Sequence, residues 1–141
     1  MARIKISFPE PVVFTTTIPV RITDLNYGGH VGNDTILTIA HEVRMQFLSA
    51  SGFTELDFGG IGMIMSDAVI EFKSEVFYGD SIHAEIAMGE ISKFSFELYY
   101  RFTKKIQGEI IALVKTGMIC YDYERKKVAA IPDAAKIIFI R

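Results

Sequence analysis

Asp24, Asn26, His30 and Asn33 lie close together in the run Arg21-Ile-Thr-Asp-Leu-Asn-Tyr-Gly-Gly-His-Val-Gly-Asn33. They supply a carboxylate, two amides and an imidazole, groups able to take a proton, orient a water or hold a polarised carbonyl. Glycines 28, 29 and 32 lie among them. Such a turn lets the backbone take positive φ and leaves its N–H groups uncovered by side chains. Asn33 or Asp34 is a natural N-cap for a following helix. A helix start offers unpaired N–H donors and the positive end of the dipole, which suits a developing oxyanion. The plainer reading is a glycine-rich strand-to-helix turn with ordinary capping. Asp24 is then an acceptor of loop N–H groups, as a short acid in such a turn often is.

The elements that must position this turn follow from periodicity. Val12 to Ile22 is rich in β-branched residues and reads as a strand, with Pro19 at an edge, bulge or strand end. From about Asp34 to Ala50, Ile36, Ala40, Val43 and Phe47 recur at helical spacing, and Thr35, Thr38, Glu42, Gln46 and Ser49 fall on another face. Gly52 fits the position just past the helix end. Four strands follow. Ile64 to Tyr78 alternates, with its even positions dry, and ends in the turn Tyr78-Gly79-Asp80. Ile82 to Met88 and Phe94 to Phe102 alternate in the same way, the latter as a core stripe. Glu109 to Cys120 is apolar on both faces in Ile110 to Val114, as a central strand would be. Ala134 to Ile140 is weakly helical or extended. One strand, one long helix and about four more strands make an α+β single domain, an antiparallel sheet curled around the helix. The helix's polar face must then meet a cleft or a second subunit.

Composition excludes several classes. The chain has 141 residues, half of them apolar, and a formal charge of −2, which argues against general nucleic-acid binding. No apolar stretch reaches the length of a membrane helix, no secretory h-region is visible, and the lone Cys120 reads as a buried thiol in a reducing compartment. A cytoplasmic protein is expected. Scattered single histidines and acids make no metal set, and Gly28-Gly29 lacks the context of a nucleotide phosphate loop. No cofactor is implied. The high apolar content points to surface covered by a partner subunit.

The order of elements and the turn together resemble the hotdog-fold thioesterases of the 4-hydroxybenzoyl-CoA and acyl-carrier-protein thioesterase type. Their turn commonly reads Asp-x-Asp, two or three residues, then His-Val-Asn-Asn; here it reads Asp24-Leu25-Asn26-Tyr27-Gly28-Gly29-His30-Val31-Gly32-Asn33. His41-Glu42-Val43-Arg44 is similar to the family's His-Glu-Ala-Arg, and Gly79-Asp80 to its Gly-Asp turn. The resemblance spans nearly the whole chain. It implies hydrolysis of an acyl-CoA or acyl-carrier-protein thioester in a homodimer or homotetramer, with Asp24, Asn26, His30 and Glu42 as catalytic candidates and Tyr27, Val31, Gly32 and Asn33 as substrate-binding ones. One departure matters: the carboxylate usually found four residues before the histidine is Asn26, which cannot serve as base or nucleophile. Asp24 and Glu42 remain, with Glu42 favoured. A non-hydrolytic binder of acyl thioesters is the alternative.

Overall fold

A computed structural model describes residues 3–139. In chain order it contains strand β1 (Val12–Pro19), a 3-10 turn (Ile22–Asp24), helix α1 (Asn33–Ala50), strands β2 (Gly62–Phe72), β3 (Ser81–Ile91), β4 (Ser95–Lys104), β5 (Ile110–Asp122) and β6 (Lys127–Val128), and a 3-10 segment (Asp133–Phe139). The sheet order is β1-β3-β4-β5-β2, with β6 added beside β5, and every pairing is antiparallel. Short connections make β3, β4 and β5 a meander. β1 and β2, which flank the helix in sequence, close the two sides.

Helix α1 packs on one face of this sheet, the hotdog arrangement. Ile36, Ala40, Val43 and Phe47 are buried against the inward residues of the strands, among them Ile82, Ile86, Leu98, Tyr100, Phe102 and Val114. Burying each of the larger of these side chains, such as Ile36, Val43 and Phe47, contributes about 1.5–3 kcal/mol. The helix ends as its sequence suggests. Gly52 at φ +85° donates to the Ser49 carbonyl at 3.0 Å, and Phe53 N–H donates to the Leu48 carbonyl at 2.9 Å. That is a Schellman closure, and glycine is the residue that takes its left-handed position without strain. Pro19 is the last residue of an edge strand, where its missing N–H costs no ladder bond.

Four expectations change. The helix starts one residue early, at Asn33, with Gly32 as N-cap and no side-chain cap bond. The strand expected from Ile64 to Tyr78 stops at Phe72, because Lys73 and Ser74 both turn their N–H groups onto the Ile111 carbonyl, at 2.9 and 3.1 Å. Its even face is not dry either. Ile64 is 38% exposed and Ser66 and Ala68 are exposed, since β2 is the outermost strand and a register shift falls between Met65 and Asp67. Phe94 precedes β4 and is exposed; the core stripe begins at Phe96. The tail is a 3-10 segment as far as Phe139, and Ile140 lies outside the described residues.

Candidate active site

The turn between β1 and α1 is a set of local bonds that decides which groups stay available. Asp24 is 4% exposed. Its Oδ2 accepts the Arg21 N–H at 2.8 Å, and Oδ1 lies 3.3 Å from Arg21 Nη2. Asn26 Oδ1 accepts the Gly28 N–H at 2.9 Å, an Asx turn, while the Asn26 N–H donates to the His30 carbonyl at 2.8 Å. Gly29 takes φ +82° here, and Tyr27 stands fully exposed at the tip. Val31 N–H donates to the Val76 carbonyl at 2.9 Å and Gly32 N–H to the Asp24 carbonyl at 3.3 Å. Thr35 and Ile36 both turn to the Gly32 carbonyl. Among the described residues, the N–H groups of Asn33 and Asp34 have no acceptor. The unengaged N–H donors at the helix start are thus those of Asn33 and Asp34, while those of Val31 and Gly32 are taken up within the fold.

Two cavities border α1 and this turn. One, of about 450 Å³ between β1 and α1, is lined by Arg21, Asp24, Thr38, His41, Glu42 and Gln46 among others. The second, of about 230 Å³, is lined by His30, Asn33, Ile36, Lys73, Ser74 and Glu75 among others. The candidates are therefore divided. Asp24 and Glu42 share the first cavity, His30 and Asn33 the second, and Asn26 and Tyr27 stand in the exposed turn. In the second cavity His30 Nδ1 donates to the Val31 carbonyl at 3.1 Å, its Nε2 lies 3.9 Å from Glu75, and its ring meets Phe77 edge-on.

The model of the thioesterase-like superfamily matches residues 20–139, from the end of β1 to the last described residue. This chain belongs to the thioesterase-like superfamily. It is similar to a curated relative from Aquifex aeolicus (strain VF5), provisionally named an esterase, at 25% identity over 124 residues, 86% of this chain and 92% of that protein. The 1,4-dihydroxy-2-naphthoyl-CoA thioesterase from Synechocystis superposes with a TM-score of 0.82 at 20% identity, covering 89% of this chain and 94% of its own. A gentisyl-coenzyme A thioesterase superposes with a TM-score of 0.78 at 24% identity, covering 89% and 99%. At these identities the two structures speak for the fold.

In this thioesterase-like chain the two flanks of α1 carry two further polar constellations. On the cavity side, Glu42 is exposed; its Oε2 accepts Gln46 Nε2 at 2.7 Å, and Thr16 Oγ1 of β1 donates to Gln46 Oε1 at 2.6 Å. On the other side lies a network that sequence reasoning missed. Arg44, 4% exposed, donates from Nε to Glu55 at 2.6 Å and from Nη1 to the Tyr100 hydroxyl at 3.0 Å. Tyr100 and Thr116 hydroxyls are 2.8 Å apart, and His41 Nε2 lies 2.7 Å from Glu55. Burial raises the Glu55 carboxyl, but the bonds and charges of Arg44 and His41 outweigh it and hold it below the ordinary carboxylate range. Burial likewise raises the Tyr100 hydroxyl, against the opposing Arg44 charge. One signal was available: Arg44 stands one turn beyond Ala40 and one before Leu48, at buried-face spacing.

Nothing among the described residues gathers three metal-ligating side chains, and no described helix is long and apolar enough to cross a membrane. Burial pushes the Cys120 thiol up to about 11, so it stays protonated and unreactive at neutral pH.

Proposed function

We propose that this chain hydrolyses an acyl thioester, on coenzyme A or a carrier protein, to a carboxylic acid and a free thiol. The observation that carries the reading is the start of α1, where the N–H donors of Asn33 and Asp34 are unengaged and each residue lines a cavity, Asn33 the one it shares with His30 and Asp34 another of about 240 Å³ that it shares with Thr38 and His41. The carbonyl oxygen binds there. A base removes a proton from water as the oxygen attacks the carbonyl carbon, the oxyanion collapses, the C–S bond breaks, and the thiolate leaves and takes up that proton. The acyl group and the thiol arm then leave the helix start on its opposite sides. His30 and Asn33 line the thiol side.

Glu42 is the favoured base. It lies nine residues beyond Asn33, roughly 13 Å along the helix, too far for its own helix start. Glu42 therefore acts on the helix start of a second copy, while Asp24 holds its own turn. A homodimer also removes the open edge of β2, which runs for 11 residues and exposes Ile64 and Met65. Pairing of two dimers would cover the exposed α1 face that carries Glu42.

The test is thiol release from a panel of acyl thioesters by wild type and Asn33→Pro. Gly32 has φ −69° and ψ 155°, suited to precede proline, and the first helical position tolerates it, so the helix persists while one donor is lost. The rate should fall on the order of 10²–10³. An unchanged rate in the folded variant overturns the site. No release from any thioester would favour the second reading, a non-hydrolytic binder. Its support is Asn26, an amide bonded to its own turn where the resembled pattern has a carboxylate.

A further inference from the structure

We infer that Arg3, Lys5, Lys73 and Phe72 form the binding site for the nucleotide end of a coenzyme A thioester, which rests on the thioester reading above. These side chains line a cavity of about 270 Å³ at the end of β2, with Glu71 as the fifth lining residue. Phe72 and Lys73 also line the cleft that holds His30 and Asn33, so the two cavities are neighbours that share these two lining residues. A thiol arm whose carbonyl sits at the start of α1 passes through that cleft and emerges among the three cations.

The cations are placed by specific bonds. Glu71 accepts the Ile6 N–H at 2.9 Å and pairs with Lys73 at 3.1 Å. Those two interactions, the Ile6 bond first, hold its carboxyl below the ordinary range. The bond to Ile6 anchors the segment before β1, which carries Arg3 and Lys5 over the end of β2. Further along the same segment, Phe8 lies under the Arg101 guanidinium, 4.3 Å from ring centroid to Cζ. Glu71 offsets one of the three positive charges and leaves an excess of two. Glu75 is the other acid facing the path, on the His30 side.

An aromatic ring among cations is the composition that receives a nucleotide. A base stacks on the ring, and phosphate oxygens take charge-assisted bonds from Arg and Lys. Phe72 is 43% exposed, so its ring is open to stacking. A carrier protein's prosthetic arm brings one phosphodiester and no base. Coenzyme A brings a diphosphate, a 3′-phosphate and adenine, which match the ring and the three cations together.

The experiment compares kcat/KM for one acyl group carried on coenzyme A, on 3′-dephospho-coenzyme A, on carrier protein and on N-acetylcysteamine. Wild type should prefer them in that order, with the coenzyme A advantage shrinking as salt rises. The paired change Arg3→Gln and Lys5→Gln should cut the ratio of coenzyme A to N-acetylcysteamine turnover about tenfold or more, through KM. Phe72→Leu should cut it further, and Phe72→Tyr should restore the ratio. A ratio that does not move in the double variant, or a preference for the carrier protein, overturns the inference. If no thioester is hydrolysed, titrating free coenzyme A by calorimetry decides it alone: weaker binding to the double variant supports the site, and equal binding overturns it.

Discussion

Glu55 and Glu42 lie on opposite flanks of α1, and each accepts a hydrogen bond from a residue of that helix. The likeness ends there. Glu55 has both oxygens engaged, one by Arg44 and one by His41, and Arg44 continues inward to Tyr100 and Thr116. Glu42 has one oxygen on Gln46, and the rest of its carboxylate opens on the cavity it shares with Asp24. Depth is what separates them. A buried charge is tolerable when all its neighbours are satisfied, and among the described residues no buried side-chain nitrogen or oxygen lacks a partner. A carboxylate with both oxygens engaged by cationic donors is held below the ordinary range and is a poorer base toward water. The exposed one keeps an oxygen free for water, with a tether that limits its motion. The same residue type is scaffold on one flank and reagent candidate on the other.

The contrast is easiest to break at Arg44. Arg44→Ala leaves Glu55 and Tyr100 without their common partner and should cost about 3–5 kcal/mol. The melting temperature would then fall on the order of 10 °C. A variant that melts within a degree or two of wild type would show the network to be dispensable. Glu42→Gln should do the reverse, lowering hydrolysis by on the order of 10² while the melting temperature stays put. Asp24→Asn probes the turn between them. It should cost about 1–3 kcal/mol of stability by weakening the bonds to Arg21, with hydrolysis largely retained. If Asp24→Asn abolishes turnover in a folded protein and Glu42→Gln does not, the two acids exchange roles.

Acid titration sharpens the comparison further. Glu55 is held below its unfolded value, about 4.3, so its contribution to stability is present above that value. It is lost as pH falls through the lower, folded one. Denaturation midpoints measured from pH 6 downward should therefore decline more steeply in wild type than in Glu55→Gln; parallel curves would remove Glu55 from the account. The smallest effect is expected at Thr16. Thr16→Val frees Gln46 and loosens the Glu42 tether, lowering kcat roughly threefold, with KM unchanged and Thr16→Ser restoring the rate. The loss should vanish in a Glu42→Gln background. If it persists there, Gln46 does not act through Glu42.

The periodicity of Ile36, Ala40, Val43 and Phe47, and of Phe96 to Phe102, determined which faces are buried, because helical and strand periods are local geometry. Gly52 and Pro19 marked their ends for the same reason. The turn from Asp24 to Asn33 was legible as a glycine-rich strand-to-helix connection, since glycines and Asx residues act on their own backbone. The sequence alone did not say which N–H groups that turn leaves unengaged. Val31 is bonded to Val76 and Gly32 to Asp24, and only the folded chain brings Val76 beside the turn. Nor could it place Glu55 beside Arg44, or separate His30 from Asp24 into different cavities, because these depend on contacts between elements far apart in the chain. Exposure of the even face of β2 was decided at the same level. Alternation says that a strand has two faces, whereas its place at the outer edge of the sheet decides whether anything covers them.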